Sequence, residues 1–228
     1  MSEKSEKTSF MQRNNIIRAA VMGANDGILS VSGIVLGVAG ATSHTDTILL
    51  AGFAGMLAGT VSMAMGEYVS VNSQHDAQEK VRQIQTRAVA NDYDGEFEFI
   101  QKKYEETGIS STLAQQATQE MMSKDPLVTS VRERYGFSLN QELSAGHAAL
   151  ASLVSFPIGS ILPMVAISIA PQGTREIATF IAVIVALAIT GYAAAQVNGA
   201  NKKHSLIRNV IAGIFTMIVT FLIGSLFR

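Results

Sequence analysis

The sequence predicts an all-α membrane protein with five transmembrane helices and a helical insert between the second and third. Only 15% of the residues are charged, and several long stretches carry no charge at all. A helical bilayer crossing needs about 20 mostly apolar residues. Five stretches have that length, and one long polar segment interrupts them. The predicted spans are about 18–42, 47–71, 146–170, 175–197 and 206–227.

The first two spans form a predicted hairpin around the short turn Ser43–Asp46. Both spans are rich in glycine at intervals of three or four residues. Small residues at such intervals let membrane helices approach closely. Two interpretations are open: tight packing within one protomer, or the seam of a homodimer. The glycines concerned are Gly33, Gly37, Gly40, Gly52, Gly55 and Gly59.

The polar segment predicts four helices, at about 74–90, 95–107, 111–123 and 125–136. Breaks are expected near Asn91–Gly95, at Gly108 and at Pro126. Asp125 followed by Pro126 is a favourable helix start, and Ser110 or Ser111 could cap the helix before it. The predicted division is 1–72 for the tail and first two spans, 73–142 for the insert, and 143–228 for the remaining spans.

The third span contains Pro157 and Pro163, each of which removes a backbone donor and bends a helix. We interpret these prolines as shaping the fold. The fourth span is mainly Ala, Ile and Val. The fifth has Gly213 and Gly224 as expected packing positions.

The basic residues predict the orientation. Of the 17 Lys and Arg residues, all but Arg175 and Arg228 fall on the side of the N-terminus. Because cytoplasmic loops carry the excess of Lys and Arg, the N-terminus is expected in the cytoplasm and the C-terminus outside. Residues Met1–Asn15 are polar and mixed in charge, unlike a cleaved signal peptide.

Several function classes find no support in the chain. There is no cysteine, which excludes disulfides, thiolate metal sites and catalytic thiols. No nucleophile–base pattern, phosphate loop or metalloprotease motif is present. We therefore expect no enzymatic activity, no prosthetic group and no nucleic-acid partner. The four histidines are scattered, at His44, His75, His147 and His204.

Asp26 is the residue most indicative of function, because it lies about two turns into the first apolar span. An ionisable side chain at the centre of a membrane helix costs roughly 2.5–3.5 kcal/mol on insertion scales. Such residues usually face a cavity, a partner or an ion path. Asp26 therefore favours transport over simple anchoring.

Met63 and Glu67 are four residues apart and share one face of the second span. Oxygen ligands attract divalent cations in general, and a thioether favours transition metals over magnesium or calcium. A carboxylate that binds either a metal or a proton also supplies the logic of an antiporter. The alternatives are a core methionine and a glutamate at the inner membrane interface.

The insert offers a second set of candidate metal ligands. An EF-hand loop beginning at Asp92 is rejected, because its sixth residue would be Phe97 and its twelfth Lys103. A solvated acidic surface and a metal site both remain open. The candidate ligands are Glu96, Glu98, Glu120, Met121, Met122 and Asp125.

Two motifs make the chain resemble the vacuolar iron transporter family. The first is Asn25-Asp26-Gly27 leading into Gly37–Ala41, and the second is Gly59–Tyr68 continuing to Gln74. The Met121-Met122 pair and the proline-containing third span extend the resemblance over about residues 13–228.

The resemblance implies a homodimer of five-span protomers that exports iron(II) from the cytoplasm in exchange for protons along a path between the protomers. It implies that Asp26 and Met63 match the family's intramembrane ligands. It also implies metal binding in the insert by Glu96, Met121 and Met122, with Asp125 where plant members have glutamate.

The chain departs from plant members at Gly55, where they carry a further glutamate, and has fewer acidic residues at the start of the insert. From the resemblance we expect export of iron(II) first and manganese(II) second, and we expect the membrane to be a bacterial plasma membrane. The alternative is a membrane-anchored metal-binding or interaction module without transport activity.

Overall fold

The computed structural model describes residues 3–139 and 143–228, with side chains from residue 12 onward apart from that of residue 198. All regular structure in these ranges is helical. The helices are α1 Glu3–Ala41, α2 Thr45–Asn91, α3 Tyr93–Glu106, α4 Ser111–Lys124, α5 Pro126–Tyr135, α6 Ala145–Ile169, α7 Arg175–Asn198 and α8 Lys202–Ser225.

Five of the described helices, α1, α2, α6, α7 and α8, are long and apolar enough to cross a membrane. Each of them overlaps one predicted span, so the prediction of an all-α chain with five candidate spans is confirmed; the spans 18–42, 146–170 and 206–227 end one or two residues past their helices. α1 is longer than its predicted span and begins at Glu3. The polar residues before the span continue the helix, since Lys, Glu and Gln are good helix formers.

The chain divides into two compact units. The spanning unit comprises Gln12–Ser70 and Ser144–Arg228. The insert unit comprises Val71–Leu143 together with the beginning of α1, up to Met11. α2 contributes to both units, since it runs unbroken through residue 70.

The core of the spanning unit is built around α1. Of its most apolar stretch, 44% is buried, compared with 17% for α2. Apolar side chains of α6, α7 and α8 pack around α1. The fully buried cluster includes Val31, Val35, Phe156, Leu187 and Met217.

Glycine allows the closest helix contacts in this unit. A Cβ on Gly27 of α1 would collide with the carbonyl oxygen of Phe156 on α6, and a Cβ on Gly159 would collide with that of Ala24. At the other end of α1, Gly37 and Gly224 meet in the same way. These contacts support the interpretation that the glycines serve packing within the protomer.

The second glycine series also contacts the protomer itself. A Cβ on Gly52 would meet Met164 and Val35, one on Gly55 would meet Ile34, and one on Gly59 would meet Phe156. Gly55, where plant members of the resembled family have glutamate, therefore lies against an isoleucine of α1.

α6 continues through both of its prolines as one helix. Its buried serines contact α1: Ser152 Oγ donates to the Ala19 carbonyl at 3.3 Å and Ser160 Oγ to the Gly27 carbonyl at 3.3 Å. The prolines thus lie in a helix that is held along its length against α1.

A buried arginine fastens the turn between α1 and α2. Arg175, only 2% exposed, donates to Thr45 Oγ1 at 3.1 Å, to the Thr42 carbonyl at 3.4 Å and to Glu176 at 3.0 Å. The guanidinium satisfies backbone and side-chain acceptors that the hairpin turn would otherwise leave unpaired.

In the insert unit, local sequence explains the helix boundaries. Asp125 Oδ1 accepts from the Val128 backbone N–H at 2.9 Å, and Pro126 follows it as predicted. Asp92 caps α3 through the Gly95 N–H at 2.9 Å. Ser110 is the N-cap of α4, although its side chain makes no capping hydrogen bond.

Candidate functional site

Asp26 lies half-buried on α1 between two neighbours that fix the helix on either side. Asn25 accepts hydrogen bonds from Thr190 Oγ1 at 3.2 Å and from Asn209 Nδ2 at 2.9 Å, which ties α1 to α7 and α8. Gly27 lies against the backbone of α6. Asn25 and Gly27 thus hold α1 against its neighbours. Because Asp26 lies between them on the same helix, their packing also sets the side of α1 on which Asp26 lies.

The Asp26 carboxylate has a single neutral partner among the described side chains. Ser30 Oγ, one turn later on α1, donates to Asp26 Oδ1 at 3.0 Å. No described residue forms an ion pair with it. A half-buried carboxylate with one hydroxyl donor retains lone pairs that can bind a cation or a proton.

Glu67 has a cationic partner. It is 8% exposed, and its Oε2 lies 2.9 Å from Nη2 of Arg18 on α1. Arg18 also donates to Asn15 Oδ1 and contacts Met22 Sδ, both at 3.1 Å. The carboxylate of Glu67 is therefore compensated within the protomer.

Met63 is partly buried and packs against the apolar core cluster of the spanning unit. In the described part of the chain, no hydrogen bond or ion pair joins Asp26 to Met63 or Glu67. The roles of these three residues in an ion path thus remain predictions from sequence.

In the insert unit, Glu96 of α3 is buried and ion-paired. Arg134 Nε lies 2.8 Å from Glu96 Oε2 and 3.1 Å from Oε1. Ser130 Oγ donates to the same carboxylate and itself accepts from Gln85 of α2. Burial raises the pKa of Glu96, but hydrogen bonds from Arg134 and Ser130 outweigh burial and hold it below its ordinary value.

A second carboxylate, Glu133, is mostly buried at 11% exposure and was not among the sequence candidates. Its partners are Arg132 at 2.8 Å, Tyr104 OH at 2.9 Å and Lys103 at 3.2 Å. Burial raises the pKa of Glu133, and the hydrogen bonds from Arg132, Tyr104 and Lys103 lower it further than burial raises it. Nothing local in the sequence marks this residue, because Lys103 and Tyr104 lie about thirty residues away.

The methionine pair points in two directions. Met121 Sδ lies 2.9 Å from Arg132 Nη2 and 3.8 Å from Tyr104 OH. Met122 is 1% exposed and belongs to the interior of the insert. Of the remaining candidates, Glu98 and Glu120 are exposed, and Asp125 caps α5.

Within the described residues, no three His, Asp or Glu side chains form a group that could hold a metal ion. The role of the six ligand candidates of the insert therefore stays a prediction.

Comparison with known proteins identifies the family. The VIT family pattern matches residues 17–225. This chain belongs to the VIT family. The match includes the whole of the Asn25-Asp26-Gly27 and Met63–Glu67 segments, so the resemblance drawn from these motifs is confirmed.

Individual VIT relatives match over most of their length. A protein named vacuolar iron transporter from Acanthamoeba castellanii is 31% identical over 92% of this chain and 78% of its own. Vacuolar iron transporter homolog 2 from Oryza sativa subsp. japonica is 32% identical over 95% and 93%. Vacuolar iron transporter homolog 2.1 from Arabidopsis thaliana is 29% identical over 95% and 83%.

Membership of the VIT family and five sufficiently long apolar helices together make this chain an integral membrane protein. In this VIT chain, Arg18 and Arg134 are the cationic partners of Glu67 and Glu96, and the sequence did not predict either pair. Arg18 reads as an ordinary basic residue before a span, and Arg134 is separated from Glu96 by 38 residues.

Proposed function

We propose that this protein exports a divalent transition metal from the cytoplasm in exchange for protons, iron(II) first and manganese(II) second. The observation that carries the proposal is Asp26, a carboxylate within an apolar span whose described partner is one serine. Membership of the VIT family, with relatives named vacuolar iron transporters, supports the metal as cargo.

Asp26 binds the ion when ionised and a proton when the ion has left. Metal binding requires the deprotonated carboxylate. The metal ion and the proton therefore cannot bind Asp26 together, and their movements are coupled. Met63 adds a soft sulfur ligand that favours iron(II) over magnesium or calcium. The exchange of the metal ion for a proton on Asp26 accounts for antiport without a covalent step.

Glu67 receives the ion before Asp26 and is held by Arg18 until then. The 2.9 Å ion pair neutralises Glu67 in the absence of metal, which lowers the cost of keeping its carboxylate mostly buried. A divalent cation competes with the single charge of the guanidinium. Arg18, itself 43% exposed, has room to withdraw towards solvent.

A homodimer would place the outward face of α2 against a second copy. That face combines exposed small residues at every fourth position with large apolar ones, including Phe53, Leu57 and Val61. Membrane helices associate closely through such small residues. The small residues are Ala54, Ala58, Ser62 and Gly66.

The proposed role of the insert is to collect metal on the cytoplasmic side. Glu96 and Met121 would then exchange Arg134 and Arg132 for the ion, while Glu98, Glu120, Met122 and Asp125 are the further candidate ligands. On the strength of the Lys and Arg distribution, we place the N-terminus in the cytoplasm and the C-terminus outside. We take the membrane to be a bacterial plasma membrane.

Transport into proteoliposomes tests the proposal. Iron(II) and manganese(II) uptake is measured with and without a pH gradient, with calcium as the reference ion. Asp26→Asn is expected to lower the initial rate at least about 100-fold, a barrier increase of roughly 2.7 kcal/mol.

Asp46→Asn, at the exposed start of α2, is the matched control and should transport like the wild type. Wild-type flux from Asp26→Asn would refute the central role of Asp26. Metal binding by the full protein without any flux would favour a membrane-anchored binding module.

Cysteine cross-linking tests the dimer. Because the sequence contains no cysteine, only an introduced cysteine can form the disulfide. Ala58→Cys in membranes is expected to form a disulfide-linked dimer on mild oxidation. Ile189→Cys, on an outward face of α7, is the control. Equal cross-linking of both variants, or of neither, would contradict a dimer through α2.

A further inference from the structure

A cavity of about 190 Å³ opens between α1, α7 and α8 of the spanning unit. Its volume equals that of roughly six water molecules at about 30 Å³ each. The cavity is lined by both apolar and polar residues. The apolar ones are Ile17, Val21, Met22, Ala194 and Val197, and the polar ones are Arg18, Asn25, Ser205, Arg208 and Asn209.

The charged residues that line this cavity are both arginines. The charge of Arg18 is balanced by Glu67 at 2.9 Å. Arg208 is exposed, and no hydrogen bond or ion pair joins it to any residue in the described part of the chain. The cavity therefore presents one uncompensated guanidinium, accompanied by the side-chain amides of Asn25 and Asn209.

The sequence around both arginines places them near an expected membrane interface. Arg208 is the last charged residue before the uncharged stretch of α8, which runs to Phe227. Arg18 precedes the apolar stretch of α1 in the same way. The boundary between charged and apolar sequence marks the membrane interface, where phospholipid phosphates lie.

We propose that this cavity binds a phosphate group, with Arg208 as its principal ligand. A guanidinium offers a planar fork of donors that matches two phosphate oxygens. Basic pockets between membrane helices suit anionic lipid headgroups, and the apolar residues of the lining suit the glycerol and first acyl carbons next to the phosphate. In the metal-free protein Arg18 is paired with Glu67, so it adds positive electrostatic potential to the cavity rather than a free pair of donors.

The occupant has two possible sources, an anionic lipid or a free phosphate ion. Native mass spectrometry of the full-length protein released from nanodiscs measures retained phosphatidylglycerol, with pure phosphatidylcholine nanodiscs as the reference. A second arm adds inorganic phosphate and measures displacement of the lipid.

Arg208→Gln is expected to weaken phosphatidylglycerol retention about tenfold, because a charge-assisted bidentate contact is lost. Arg208→Lys should retain part of the binding, since the charge remains without the fork. Arg13→Gln, an exposed arginine of α1 outside the cavity, is the matched control and should bind like the wild type.

Displacement by inorganic phosphate would support the site with a free anion as occupant, and resistance to it would support the lipid. Undiminished retention by Arg208→Gln, an equal loss in Arg13→Gln, or no preference for phosphatidylglycerol over phosphatidylcholine would each overturn the proposal. The thermal midpoint of each variant without ligand verifies that it is folded.

Discussion

Asp26 of the spanning unit and two glutamates of the insert unit have different surroundings. Asp26 is half-buried and accepts one hydrogen bond from Ser30. Glu96 is buried and Glu133 is mostly buried, and both lie among arginine, lysine, serine and tyrosine donors. A carboxylate surrounded by fixed cations is already satisfied, and a divalent ion must displace them before it can bind.

Position within the unit explains the difference. Asp26 lies in an apolar helix, where few polar side chains are available and each would be costly to bury. The insert is rich in charge, and its helices bring Lys103, Arg132 and Arg134 around two glutamates. The membrane carboxylate is thus the more available ligand.

The largest expected effect concerns metal affinity. Asp26→Asn should weaken manganese(II) binding by at least about 100-fold, or roughly 2.7 kcal/mol, whereas Glu96→Gln should change it less than about threefold. Manganese(II) electron paramagnetic resonance on the full-length protein measures both. A larger loss from Glu96→Gln would reverse the comparison and make the insert the dominant site.

A smaller effect is expected on the stability of the insert. Arg134→Gln leaves Glu96 buried without its cation, and breaking a buried pair costs about 3–5 kcal/mol. Because Arg134 is 31% exposed, we expect roughly 2 kcal/mol. Hydrogen exchange of α3 and α5 amides gives the opening free energy.

The control for this substitution is Arg82→Gln. Arg82 forms an ion pair with Glu79 in which both side chains are exposed. The control substitution should cost less than about 0.5 kcal/mol. Equal effects of the two arginine substitutions would show that burial does not distinguish these ion pairs.

The smallest effect is a pH dependence of the insert. The pKa of Glu96 and that of Glu133 lie below their ordinary value of 4.5 in the folded state. Between the folded and unfolded pKa the unfolded state binds more protons, so stability is complete above about pH 4.5 and falls as the pH drops further.

Hydrogen exchange corrected for intrinsic rates should therefore show constant protection of α3 and α5 from pH 7 to about pH 5 and a decline below about pH 4.5. The decline should be shallower in Glu96→Gln. A decline that begins near neutral pH would contradict the assignment to these carboxylates.

Much of the fold could be predicted because its signals are local. Apolar length predicts the spans, and Asp125-Pro126 predicts the start of α5. The candidate site was predictable only in part. Asp26 stands out as a charge in an apolar run, but its partner Ser30 is one of many serines, and Glu133 resembles any surface glutamate.

The sequence by itself determined the helical class, the five candidate spans and the family, and it marked Asp26 as the leading candidate residue. These properties depend on composition and short motifs, which are readable along the chain. Only the tertiary structure decided which carboxylates have cations beside them. Arg18 meets Glu67 across 49 residues and Arg134 meets Glu96 across 38, and such pairs form only when helices distant in sequence pack together.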